Sequence, residues 1–127
     1  MKDLFKIAKT VRKQAYNKAH KYYGEELTGY CARGSAMLWT ALVKAGLSPV
    51  ICLARSQDGD HVFVMCENYI VDVTATQFGE RPVCIKRFGR GGLQPPWYWR
   101  CFKTFNDPNS LKQCQIEEDW PKDEIVI

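Results

Sequence analysis

Two hydrophobic periods run along this chain, and the point where one replaces the other separates a helical front from a strand-rich middle. Leu4, Ile7, Val11, Ala15 and Ala19 recur at steps of three and four with Lys and Arg between them, which predicts an amphipathic helix stopping near Gly24. Thr28 offers an N-cap for a second helix from about Gly29 to Ala45, closed by Gly46. On that helix Cys31, Ser35, Leu38, Leu42 and Ala45 share one face, predicted to be buried. The period then changes: Pro49 to Ala54 is an apolar, partly β-branched run ending in the polar turn Ser56, Gln57, Asp58, Gly59. His61 to Cys66 and Tyr69 to Thr74 follow as β-rich segments separated by Glu67 and Asn68, which predicts an antiparallel hairpin. Beyond Gln77 the pattern weakens. Arg81, Pro82 and the stretch from Gly89 to Pro96 mark loops, and Val83 to Phe88 and Trp97 to Phe105 are the remaining candidate strands.

The chain has 127 residues, of which 46% are hydrophobic and 25% charged, as in an ordinary globular domain, so residues 1–127 are expected to form a single domain. No apolar run approaches the roughly 18 residues of a membrane span, and no secretory segment follows Met1; synthesis in the cytoplasm without a signal peptide is the expectation. Charge is uneven. Residues 1–24 carry seven Lys or Arg against one Asp, whereas Glu117, Glu118, Asp119, Asp123 and Glu124 face only Lys122 at the other end, so the two ends can attract each other or each face a different partner. Six cysteines are too few for a disulfide scaffold of this length, and without a Cys-x-x-Cys pair they offer no zinc spacing. They are expected to be free thiols, with Cys52 and Cys66 buried in strands. No cofactor or metal is implied.

Cys31 differs from the other five. The first turn of a helix presents unpaired backbone donors and the positive end of the dipole, which favour a thiolate and also suit an oxyanion forming on an attacked carbonyl. A two-residue turn at Glu67 and Asn68 sets the hairpin register so that His61 faces Thr74 and Phe63 faces Asp72. His61, Phe63, Asp72 and Thr74 then lie on one face, with His61 and Asp72 diagonal neighbours. Asp72 can hold one imidazole nitrogen and leave the other to take the thiol proton, the nucleophile, base and orienter logic of a triad.

These residues resemble the papain-fold superfamily in its transglutaminase-like branch. The likeness is carried by Cys31-Ala-Arg-Gly-Ser35-Ala36-x-Leu38, by Asp60-His61-Val-Phe63-Val64, and by Tyr69-Ile-Val-Asp72-Val-Thr74 followed by Gln77 and Phe78. It spans about residues 28–78 and is similar also to small bacterial papain-fold toxin and effector domains. The resemblance implies an α+β fold, with N-terminal helices and the nucleophile helix packed on an antiparallel sheet. It implies thiol-based acyl transfer on a protein or peptide amide: Cys31 as nucleophile, His61 as general base and acid, Asp72 as orienter. Glutamine deamidation or transamidation by a toxin or effector delivered to a target cell is the leading expectation, with a cognate immunity or inhibitor protein as a further partner. A thiol protease of the same fold, or a papain-fold binding module without turnover, are the alternatives. Phe63 stands where such proteins often carry Trp, Val73 where Pro is common, and Glu25 near the place of an oxyanion-binding Gln. Gln77, Tyr30 and Thr28 are the candidates for that oxyanion and substrate-binding role.

The remaining features point elsewhere. The aromatics from Trp97 to Phe105, with Arg87, Arg90 and Arg100, are read as strand and core residues, and nucleic-acid binding is not expected. Gly89-Arg90-Gly91-Gly92 lacks the Lys-Ser/Thr ending of a phosphate loop and is read as a mobile loop beside the cleft. His20 is read as a solvated side chain.

Overall fold

A computed structural model describes residues 2–87 and 95–117. The fold is α+β: helices α1 (Lys2–Tyr23) and α2 (Cys31–Lys44), then strands β1 (Val50–Ser56), β2 (Gly59–Cys66), β3 (Tyr69–Asp72), β4 (Cys84–Arg87) and β5 (Lys103–Phe105), and finally α3 (Pro108–Glu117). The five strands form one antiparallel sheet in the order β4-β3-β2-β1-β5. The Gly89 to Gly92 segment and the acidic residues beyond Glu117 lie outside the described residues.

Of the predicted apolar stripe of α1, Leu4, Val11, Ala15 and Ala19 are buried together with Ala8, whereas Ile7 is only half-buried. The helix ends at Gly24, whose φ of +84° and N–H bond to the His20 carbonyl (2.8 Å) need a residue without a Cβ. His20 is not a solvated side chain: it stacks on Tyr16 at 4.4 Å, and its Nδ1 lies 2.7 Å from the Tyr16 carbonyl one helical turn back.

The second helix starts two residues later than the sequence pattern suggests. Leu27 (φ 55°) and Gly29 (φ 87°) are both left-handed, so the chain is still turning at Thr28, which is exposed and does not cap; Tyr30 is the N-cap residue and supplies no side-chain bond. At the other end Leu47 N–H bonds the Leu42 carbonyl (3.0 Å) and Gly46 N–H the Val43 carbonyl (2.9 Å), the Schellman pattern with Gly46 at its left-handed position. Ser35, Leu38 and Leu42 are buried as expected, whereas Ala45 falls past the helix end and is exposed.

Both central hairpins have two-residue turns. Glu67 (φ 52°) and Asn68 (φ 69°) are left-handed, the backbone that matches strand twist, and the register pairs Val64 with Val71, Met65 with Ile70 and Cys66 with Tyr69. The ladder stops there. His61 does not pair with Thr74, nor Phe63 with Asp72, because Asp72 accepts the Thr74 N–H (2.9 Å) and bends the chain out of the sheet at Val73.

The sheet buries both faces. Toward the helices point Ile51, Leu53, Val62, Val64 and Val71, packed on α1, α2 and on Leu111 and Cys114 of α3. Toward the other side point Cys52, Ala54, Phe63, Ile70 and Cys84, covered by Ala75 and Trp99. Trp97–Trp99 is a 3₁₀ turn rather than the start of a strand, following two prolines without backbone N–H groups, and only Lys103–Phe105 joins the sheet. Helix α3 is absent from the sequence expectation. Its signal is Asp107-Pro108, an N-cap carboxylate accepting the Ser110 N–H (2.8 Å) before proline in the first helical position. All six cysteines are free thiols, Cys52 and Cys66 among the buried ones.

Candidate active site

The separation of β2 from β3 beyond Val64 and Val71 opens the sheet where His61 and Asp72 face each other. Neither is more than 1% exposed, and His61 Nε2 lies 2.7 Å from Asp72 Oδ2. The carboxylate has further donors: Trp99 Nε1–H to Oδ2 (2.9 Å), Thr74 N–H to Oδ1 (2.9 Å) and the Thr74 hydroxyl to Oδ1 (3.4 Å). A buried carboxylate survives only when satisfied in this way. With Nε2 occupied by Asp72, Nδ1 is the imidazole nitrogen that faces the rest of the site, and the Cys31 side chain lies near enough to His61 to help raise its pKa. The edge of the Phe78 ring packs at 4.8 Å from the imidazole, with Tyr98 stacked on Phe78 (4.2 Å) and bonded to Glu80 (2.6 Å).

Cys31 reaches this pair because the first turns of α2 settle against β2 on one side and the Val73–Thr74 bend on the other. The Ser35 hydroxyl donates to the Val62 carbonyl (3.0 Å), next to His61. Gly34 faces the bend; a Cβ there would stand 2.8 Å from Thr74 Cγ2. Thr74 cannot yield without loosening Asp72, so Gly34→Ala is expected to destabilise the fold by about 1–3 kcal/mol despite alanine's better helix propensity. Urea denaturation checks this, and a neutral or stabilising substitution would show that the contact is slack. Cys31 is half-buried and opens on a cleft of about 520 Å³ lined by Gly29, Ala32, Gln57, Asp60, Val62 and Gln115 among others.

The three oxyanion and substrate candidates separate. Gln77 Nε2–H donates to the Thr74 carbonyl (3.1 Å), which turns the amide NH₂ toward the site, 3.5 Å from His61 Nδ1. The Tyr30 side chain points away, into the cluster of Ala15, Ala19 and Leu27, with its hydroxyl 3.7 Å from Met37 Sδ. Thr28 is exposed on the turn before Gly29, and no side-chain bond ties it to α2. Glu25 is directed outward and accepts a hydrogen bond from the Tyr16 hydroxyl.

Two residues that hold the site were not singled out by sequence reasoning. Trp99, read as a core aromatic, bonds the carboxylate, and no local pattern distinguishes an indole that packs from one that donates. Arg12 lies on the polar side of the periodic pattern yet is buried. It donates to the Val73 carbonyl (2.8 Å), the Thr76 hydroxyl (3.1 Å) and the Glu25 carbonyl (3.3 Å), tying α1 to the segment that carries Gln77. Burial pushes its guanidinium below its ordinary value, with nearby Tyr16 and Asp72 acting in the opposite sense.

The pair behaves as an ion pair. Burial alone would lower the His61 pKa, yet the charge and hydrogen bond of Asp72, helped by Cys31, raise it to about 10. Burial likewise opposes the Asp72 carboxylate, and His61, Trp99 and the Thr74 N–H hold it below its ordinary value. Stability contributed through His61 is therefore fully present below the unfolded imidazole value of 6.5 and lost as pH rises toward 10. That contributed through Asp72 is present above the unfolded carboxyl value of 3.8 and lost as pH falls below it. Between about pH 6.5 and 9.5 the unfolding free energy of the wild type is expected to fall relative to Asp72→Asn, read from urea curves at several pH values. Parallel profiles would show that the pair is not ionised.

Comparison with protein-family models, with curated proteins and with solved structures finds no match for this chain. Among the described residues no group of three or more His, Cys, Asp or Glu side chains is arranged to hold a metal ion, and no helix is long and apolar enough to cross a membrane. The site is a thiol, an imidazole and a carboxylate in sequence, with an amide NH₂ and the first turn of α2 beside them.

Proposed function

We propose that this chain is a thiol-dependent acyl-transfer enzyme of the papain-fold, transglutaminase-like kind, and that it deamidates glutamine side chains through a thioester on Cys31. The observation that carries the reading is the buried His61–Asp72 pair, its carboxylate held by three further donors, with Cys31 on the first turn of α2 near enough to act on His61. The family resemblance supports the same assignment and adds the toxin or effector setting.

In this reading Cys31 and His61 rest as a thiolate beside an imidazolium, and Sγ attacks the carboxamide carbon as the thiolate. The imidazolium is stabilised by Asp72, while the oxyanion is met by backbone N–H groups of the first turn of α2 and by the Gln77 amide. Collapse expels ammonia, which takes the proton from His61, and leaves a thioester. Water then attacks the thioester carbon with its proton passing to His61, the C–S bond breaks with Sγ leaving as the thiolate beside the restored imidazolium, and a carboxylate is released. An amine in place of water gives transamidation. Trp99 and Thr74 act through Asp72 as positioning residues.

The test is incubation of the protein with an unfolded glutamine-rich substrate such as casein, with ammonia release and mass mapping of modified glutamines. Conversion of glutamine to glutamate that disappears in Cys31→Ala supports the proposal. Backbone cleavage with intact glutamines would assign a protease instead, and no ammonia, cleavage or amine incorporation would retire the enzymatic reading. Gln77→Ala is expected to lower kcat by about 10²-fold with little change in KM, the signature of a lost oxyanion donor. A change confined to KM would make Gln77 a substrate contact only.

A further inference from the structure

A second cavity, larger than the cleft at Cys31 and sharing no lining residue with it, runs along the outer seam between α1 and α2. The two helices are antiparallel: Leu4 and Ala8 pack with Leu42 at one end, Ala15 and Ala19 with Tyr30 at the other. The groove between them holds about 1040 Å³ and has an apolar floor of Ile7, Met37 and Ala41. Its rim is cationic at both ends, Lys6 and Lys44 at one and Lys18 and Arg33 at the other, and among the described residues no Asp or Glu lines it. From Lys6 to Lys18 and from Arg33 to Lys44 the helical rise makes the groove about 17 Å long, three turns of a third helix.

We infer that this groove binds an acidic amphipathic helix of a partner protein, with apolar residues spaced i, i+3 or i+4, i+7 on the floor and carboxylates meeting the basic pair at each end. Charge complementarity argues for this occupant. A neutral apolar helix would leave Lys6, Lys18 and Lys44 beside a low-dielectric contact, and a basic one would be repelled at both ends. The periodicity of α1 explains how the face arises. Leu4, Ala8, Val11 and Ala15 are consumed by the core, so a second stripe through Ile7, Thr10 and Gln14 is left facing outward between the lysines. The surface is separate from Cys31, so an occupied groove leaves the candidate active cleft open.

The test uses the intact protein and fluorescein-labelled fourteen-residue helical peptides, one carrying a Leu stripe flanked by Glu at both ends and one with Lys in place of every Glu. Fluorescence anisotropy is expected to show the Glu peptide binding at least tenfold more tightly than the Lys peptide, with affinity falling as salt rises. The exposed double variant Lys18→Glu/Lys44→Glu, and separately Met37→Glu, are each expected to weaken the Glu peptide tenfold or more while the circular dichroism spectrum stays unchanged. Lys18 and Lys44 pack against no core residue, so their variant remains informative if Met37→Glu fails to fold. Equal affinity for the two peptides, absence of binding, or binding indifferent to the double variant would each overturn the inference. Co-sedimentation with phosphatidylserine vesicles, lost in the double variant while the Glu peptide fails to bind, would overturn it too and give the face to an anionic lipid surface.

Discussion

Replacing His61 by Ala is expected to slow alkylation of Cys31 at least tenfold at about pH 6.5, while Cys101, the exposed thiol, keeps its rate. In the wild type under limiting iodoacetamide Cys31 should be modified first. The other cysteines provide internal standards of two kinds. Cys101 is the exposed reference, and Cys52, Cys66 and Cys84 report burial, which pushes each of those thiols upward. Cys31 is half-buried, so its lead cannot come from exposure; it has to come from the neighbouring His61 imidazole and from the first turn of α2. The same logic sets the size of the effect on turnover. If the thioester reaction holds, Cys31→Ala removes the covalent step and His61→Ala the proton carrier, and each should lower kcat/KM by about 10³-fold or more. The two losses should not add, because either change alone dismantles the pair. Peptide mapping that finds Cys31 no faster than Cys101, in wild type and His61→Ala alike, would sink the activated-thiol reading without any knowledge of the substrate.

Asp72→Ala is expected to be the most destabilising substitution in the molecule, costing about 3–5 kcal/mol. It removes the acceptor of Trp99 Nε1–H and of the Thr74 N–H, and it leaves a fully buried imidazole facing no carboxylate. His61 must then shed its proton to remain inside, so the variant should lose stability as pH falls through the neutral range, the reverse of the wild-type trend. A domain of this size loses roughly 3–5 °C of Tm per kcal/mol, so a drop of about 10–20 °C is the expected calorimetric result. The double variant His61→Ala/Asp72→Ala should cost clearly less than the sum of the two single changes, since the second removes the group the first left stranded. Simple additivity would mean that the carboxylate acts only as a core acceptor for Trp99 and Thr74 and that its contact with His61 carries little energy.

These two experiments bear on residues that the sequence already made visible, and the reason lies in the shortness of the interactions involved. The hairpin register follows from a two-residue turn, so the alternation of side chains placed His61 and Asp72 on one face before any coordinate was known. The helix carrying Cys31 followed from apolar spacing and from Gly46, whose left-handed position closes it. Its start was harder to read. Thr28 has the right chemistry for a cap, but two left-handed residues at Leu27 and Gly29 displaced the first turn, and backbone handedness at a non-glycine such as Leu27 leaves no mark in composition. Asp107-Pro108 is the opposite case, a legible helix start passed over because the apolar stripe behind it is only Leu111 and Cys114.

The sequence by itself determined the α+β order of elements, the period of each face and the hairpin register, because each depends on residues within a turn or two of one another. It also contained the three side chains of the candidate site, in an order that local geometry can bring close. The tertiary structure alone decided which partners complete that site. Trp99 arrives from a 3₁₀ turn 27 residues beyond Asp72, and Arg12 from a helix 61 residues before Val73. Gly34 is required only because Thr74 lies 2.8 Å from where its Cβ would be. The ladder itself stops short of the predicted His61–Thr74 pairing because one carboxylate oxygen captures a backbone N–H two residues on, and the opening it leaves is where α2 meets His61. Such contacts are set by the competition of long-range packing with local pairing, and no window of sequence holds both sides of that competition.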